Sequence, residues 1–78
     1  MPFDIVGELI STYKPPPPKM VARMEALART IPDDAKEDVF NAILEELGAN
    51  YMVGANNITD ACKKLGVPFS ETHYIPAT

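Results

Sequence analysis

A chain with one cysteine, Cys62, and one histidine, His73, has little with which to assemble a reaction. A nucleophile needs a base within hydrogen-bond reach and a third group to orient that base. Cys62 occupies an apolar helical position and His73 a short terminal turn, so neither has a supporting neighbour in sequence. Zinc asks for three or four ligands in closely spaced pairs, which one thiol and one imidazole do not supply. The four glycines, Gly7, Gly48, Gly54 and Gly66, are scattered and form no phosphate-cradling loop. No catalytic residue, metal ligand or cofactor site is expected. The chemistry left to this chain is recognition through charge and apolar surface.

The charges are segregated along the sequence. Lys14, Lys19, Arg23 and Arg29 are accompanied by one acid, Glu25, whereas Asp33, Asp34, Glu37, Asp38, Glu45 and Glu46 are accompanied only by Lys36. Pairing of the basic and acidic segments across adjacent helices is the simpler expectation; the alternative is a divided surface with one face able to meet an anionic partner. The net charge of −4 and a pI near 4.7 count against a protein whose whole surface grips phosphates.

The elements that must position these groups are bounded by length and composition. Seventy-eight residues make one domain and exclude a second, close to the size at which one hydrophobic core only just suffices. The 46% hydrophobic content predicts a packed core, built without Trp from four Met, three Phe and three Tyr beside the aliphatic residues. A single cysteine makes no internal disulfide. Apolar runs fall far short of the roughly 20 residues that cross a bilayer. The opening Met1-Pro2-Phe3-Asp4 lacks a basic start and apolar core. A cytoplasmic protein without membrane contact is therefore expected.

Helical spacing recurs along the chain. Val6, Leu9, Ile10 and Tyr13 define a first helix within residues 1–14, with Asp4 as its cap. Pro15-Pro16-Pro17-Pro18 cannot continue it and predicts a stiff extended spacer, a geometry that proline-recognising domains also bind. Met20, Met24, Leu27, Ala28 and Ile31 form the stripe of a second helix from Lys19 to Thr30, stopped by Pro32. Asp34 and Glu37 have capping-box spacing ahead of a third helix that turns Val39, Phe40, Ile43, Leu44 and Leu47 inward and stops at a left-handed Gly48. Ala49 to Asn57 read as a packed loop. Asn57 is the expected cap of a fourth helix with Ile58, Ala61, Cys62 and Leu65 on one face, closed by Gly66. Ser70 opens a last short turn over Glu71–Ile75 before Pro76. The expected fold is all-α: one domain of four to five short helices, broken by prolines after the first, with residues 19–78 as the helical core.

The string Asn57-Ile58-Thr59-Asp60-Ala61-Cys62-Lys63-Lys64-Leu65-Gly66-Val67-Pro68-Phe69-Ser70-Glu71-Thr72 resembles the helix-turn-helix of phage and bacterial DNA-binding proteins. That motif uses a small residue at the helix crossing, apolar residues flanking a turn glycine and a polar cap on the second helix. Cys62, Leu65, Gly66, Val67 and Ser70 match those places within residues 57–75. Thr72 departs from the buried aliphatic residue such domains carry. The outward Glu71, His73 and Tyr74 include no Arg, Lys, Asn or Gln to read base edges. The proline-rich break, the Pro32-Asp33-Asp34 helix start and the Lys63-Lys64-Leu65-Gly66 ending are also similar to the helical N-terminal modules of phage replication helicase loaders. Both resemblances imply a place in phage or bacterial replication or transcription regulation.

Two non-enzymatic functions follow. In a DNA-associated module, Lys63, Lys64, Ser70 and Thr72 would lie at the DNA backbone, with Lys19, Arg23 and Arg29 as a second phosphate contact. In an adaptor or inhibitor that binds protein, Asp38, Glu45 and Glu46 would form the acidic face, with exposed parts of Tyr51 and Met52 beside it. Homodimerisation through an apolar helix face stays open. The arrangement of the basic residues discriminates. One shared face with Lys63 and Lys64 favours DNA, and neutralisation of the second helix by the third favours the adaptor.

Overall fold

The computed structural model describes residues 2–71, which fold as an all-α domain. Its helices are α1 (Ile5–Thr12), α2 (Pro18–Ala28), α3 (Lys36–Glu46) and α4 (Ala55–Leu65), with a 3-10 turn at Asp33–Ala35 leading into α3. α1 and α4 each pack on both α2 and α3, so α2 and α3 stand at opposite corners of a four-helix ring around the core. Leu9, Met24, Val39, Val53, Ile58 and Cys62 fill its centre with no exposed surface. Phe3 packs on Phe40 in a tilted contact, 5.4 Å between ring centroids and 55° between ring planes, closing the α1–α3 side.

Most of the expected stripes face this core, including Val6, Leu9 and Tyr13 of the first, Met24, Leu27, Ala28 and Ile31 of the second, and Ile58, Ala61 and Cys62 of the fourth. Leu44 and Leu65 do not: they are 42% and 43% exposed. Asp4 caps α1 as expected, its Oδ1 accepting from the Gly7 amide at 3.1 Å.

Other boundaries differ from the reading of the sequence. Pro18 is not spacer but the first residue of α2, where its fixed φ is helical and its missing N–H costs nothing. The spacer itself is tied down. Pro16 is buried, and Lys14 makes an isolated parallel bridge to Met52, donating to the Tyr51 carbonyl at 3.2 Å and accepting from the Val53 amide at 3.3 Å. Asp34 caps nothing, since the 3-10 turn carries the chain into α3 and Asp33 instead accepts from Lys36 Nζ at 2.8 Å. Gly48 is not left-handed; α3 ends on an extended Leu47. Asn57 is not the cap of α4 but its third residue. Its Oδ1 accepts from the Gly54 amide at 2.9 Å, while the Ala55 amide donates to the Met20 sulfur at 3.3 Å.

Gly66 does close α4, at φ +71°. The Val67 amide returns to the Cys62 carbonyl at 2.9 Å and the Gly66 amide to the Lys63 carbonyl at 3.3 Å, the paired bonds of a Schellman ending. Beyond it Val67 to Glu71 are not helical. The Ser70 amide donates to the hydroxyl of Thr30 at 2.9 Å. The expected turn over Glu71–Ile75, with Thr72, His73 and Tyr74, otherwise lies outside the described residues.

A candidate protein-docking groove between α3 and α4

α3 runs antiparallel to α4, bringing its start beside Leu65 and Val67 and its end beside Asn57 and Asp60. Small side chains at the crossing, Ala42 and Ala61, allow the close approach. On the outer side the two helices part around a groove of about 330 Å³ lined by Asp38, Asn41, Ala42, Glu45, Leu65 and Val67. The four α3 residues are spaced i, i+3, i+4, i+7, so one helical stripe makes one wall. Ala42, Leu65 and Val67 give that groove an apolar floor. Leu65 is there because it is the last residue of α4, and Val67 because the left-handed Gly66 folds the chain back over it.

The rim is acidic. Asp38 and Glu45 have no ion-pair partner among the described residues, and both are exposed. Glu46, one residue on, pairs with Lys64 at 2.9 Å, and this hydrogen bond holds the Lys64 ammonium above its ordinary value. No cation occupies the last turn of α3, so Glu45 stands at the negative end of the helix dipole.

The expected pairing of the second helix with the third does not form among the described residues, because α2 and α3 occupy opposite corners of the ring. Arg23 instead pairs with Glu71 from the segment beyond α4, and Lys36 with Asp33. Arg29 follows Arg23 by six residues, which leaves the two about 120° apart around the helix axis. It lines a cavity of about 200 Å³ on the α1 side with Phe3, Asp4, Glu25 and Lys36. The residues proposed for DNA are therefore dispersed. Lys19 and Lys63 are exposed, Lys64 and Arg23 are in ion pairs, Arg29 is on another flank, the Ser70 amide is bound by Thr30, and Thr72 is outside the described residues.

Of the residues proposed for protein binding, Asp38 and Glu45 share the groove and Glu46 lies at its margin. Tyr51 and Met52, 65% and 55% exposed, belong to a separate surface. There Met52 joins Pro16, Pro17 and Met20 around a cleft of about 260 Å³ at the start of α4. Asn41, Ala42, Leu65 and Val67 were absent from the sequence-based set. The readable signal was the i, i+3, i+4, i+7 relation of Asp38, Asn41, Ala42 and Glu45.

Cys62 is fully buried and desolvation pushes its thiol up, which keeps it in the protonated, unreactive form. Among the described residues no three His, Cys, Asp or Glu side chains converge as a metal-ligand set, and no helix is long and apolar enough to cross a membrane. The chain matches no protein-family model, no curated protein and no solved structure with which it was compared.

Proposed function

We propose that this chain is a non-enzymatic adaptor of the cytoplasm that docks a protein partner in the groove between α3 and α4. One observation carries the reading: an apolar floor of Ala42, Leu65 and Val67 lies open beneath two carboxylates, Asp38 and Glu45, that have no ion-pair partner among the described residues. Exposed apolar surface rimmed by polar groups is the usual signature of a protein contact. The resemblance to helix-turn-helix and helicase-loader modules supports a setting in a phage or bacterial replication or transcription assembly. Contact with duplex DNA is the second reading. It draws on Lys19 and Lys63, whose ammonium groups are exposed and without an ion-pair partner among the described residues. Two phosphate contacts give weak binding beside the roughly six to ten of a dedicated binder.

The test is selection from a displayed random-peptide library on the wild-type chain, with counter-selection on Leu65→Lys. It is paired with an amide-shift titration against a mixed-sequence DNA duplex at low and high salt. Selected peptides that shift the Asn41, Leu65 and Val67 amides support the adaptor. No groove-binding peptide, together with salt-sensitive duplex shifts at Lys63 and Lys64, replaces it with the DNA module.

A further inference from the structure

Asp38 and Glu45 lie seven residues apart on α3, about 10.5 Å along the helix axis and on nearly the same stripe. The apolar floor sits between them, at the level of Ala42. Two carboxylates so far apart cannot chelate one cation, and the groove volume is at the lower limit for a small-molecule site. It suits anchor side chains projecting from a larger partner.

The electrostatics ask for positive charge above all at the Glu45 end of this floor, since Asp38 lies in the first turn of α3, where the helix dipole already favours its carboxylate. Glu45 stands in the last turn of α3, where the helix dipole already concentrates negative potential and the helix carries no Lys or Arg of its own; the Lys64 ammonium nearby feels Glu45 but is hydrogen-bonded to Glu46. Glu46 has the same problem and solves it internally through Lys64. Glu45 is left without an equivalent among the described residues, and a cation brought from outside would serve both the carboxylate and the helix end.

We infer that the groove accepts a basic amphipathic helix of a different protein, with Lys or Arg at positions i and i+7 facing Asp38 and Glu45 and large aliphatic residues at i+3 and i+4 seated on Ala42, Leu65 and Val67. This deepens the adaptor reading and rests on it. A helix laid along α3 repeats at the same 3.6 residues per turn, so one seven-residue interval matches both carboxylates at once. The occupant is not a second copy of this chain. α2 carries Lys19 and Arg23 four apart, α4 carries Lys63 and Lys64 in succession, and no described helix presents two cations seven apart.

The experiment titrates the full chain with two synthetic helical peptides of one composition on a Gln and Ala background. The matched peptide has Lys at i and i+7 and Leu at i+3 and i+4. In the shuffled peptide the Lys pair is moved to the opposite face. Amide shifts and calorimetry are read together. The matched peptide is expected to shift Asn41, Leu65 and Val67 and to bind about tenfold more tightly than the shuffled one, two rim ion pairs being worth a factor of that order. Glu45→Gln, at an exposed position where folding is unaffected, should remove about threefold of that preference, and added salt should remove most of it. Equal binding of the two peptides in the groove overturns the charge spacing and leaves the adaptor standing. Silence from both, while library-selected peptides of other character still shift the groove, overturns the basic-helix partner alone. Silence from both peptides and from the library overturns the inference together with the adaptor.

Discussion

The phenol of Tyr13, just past the end of α1, donates to the carbonyl of Leu47, just past the end of α3, at 2.8 Å. The carbonyls at a helix end have no partner within the helix, so the bond satisfies α3 while fastening it to α1. Removing it by Tyr13→Phe should cost about 1 kcal/mol, read as a lower urea midpoint with an unchanged slope. Burial also pushes the Tyr13 phenol above its ordinary 10.0. For an acid raised in this way, the folded state holds its proton longer than the unfolded state does. The associated stability is complete below 10.0 and is lost as pH rises from there through the higher folded value. The wild type should therefore lose more stability than Tyr13→Phe between about pH 9 and pH 11. Parallel losses would remove Tyr13 as the cause.

Gly66 offers a clean separation of backbone from packing. No atom lies within 4 Å of where its Cβ would stand, yet its φ is +71°. Gly66→Ala should destabilise by about 1 kcal/mol, and Gly66→Asn by distinctly less, because Asn tolerates the left-handed region. Thermal melts of the three proteins check the order. Equal costs for Ala and Asn would mean that something other than φ sets the requirement.

Asn57 reaches back to the Gly54 amide and so holds the first turn of α4. Asn57→Ala should cost about 1 kcal/mol. The loss should be local, with faster amide exchange at Gly54 and little change at the other end of α4, where Gly66 acts independently. A uniform increase across α4 would show that the contact supports the whole fold instead.

Cys62 should be silent toward thiol reagents in the folded chain. With no exposed surface and a raised pKa, it reacts only when the core opens, at least about a thousandfold more slowly than in denaturant. Rapid alkylation under native conditions would reveal an opening near α4 far less costly than global unfolding.

Periodicity made the helices legible. The Met24, Leu27, Ile31 stripe and the Ile58, Ala61, Cys62 stripe needed only the 3.6-residue repeat to be assigned inward. Periodicity does not carry how far a neighbouring helix covers each flank of a stripe, and Leu44 and Leu65, at its edges, stay exposed. Asn is common at helix caps, which in the sequence favours Asn57 for that place, whereas Gly54 and Ala55 announce a helix start only once Met20 stands behind them. The Lys14–Met52 bridge joins residues about half the chain apart and leaves no local trace. The acidic character of the groove was readable in Asp38 and Glu45. Its apolar floor was not, since Val67 reaches it only through the backward turn at Gly66.

The same turn bears on how the cost of the proposed docking would be divided. α4 is held at its start by Asn57 and at its end by Gly66, and the chain beyond is tied to Thr30. The wall bearing Leu65 and Val67 is thus ordered in the chain alone, and in the docking proposed above the loss of conformational entropy would fall almost wholly on the partner. A partner segment disordered when free would bind weakly and leave quickly; the same segment cross-linked into a helix should gain affinity without a single new contact.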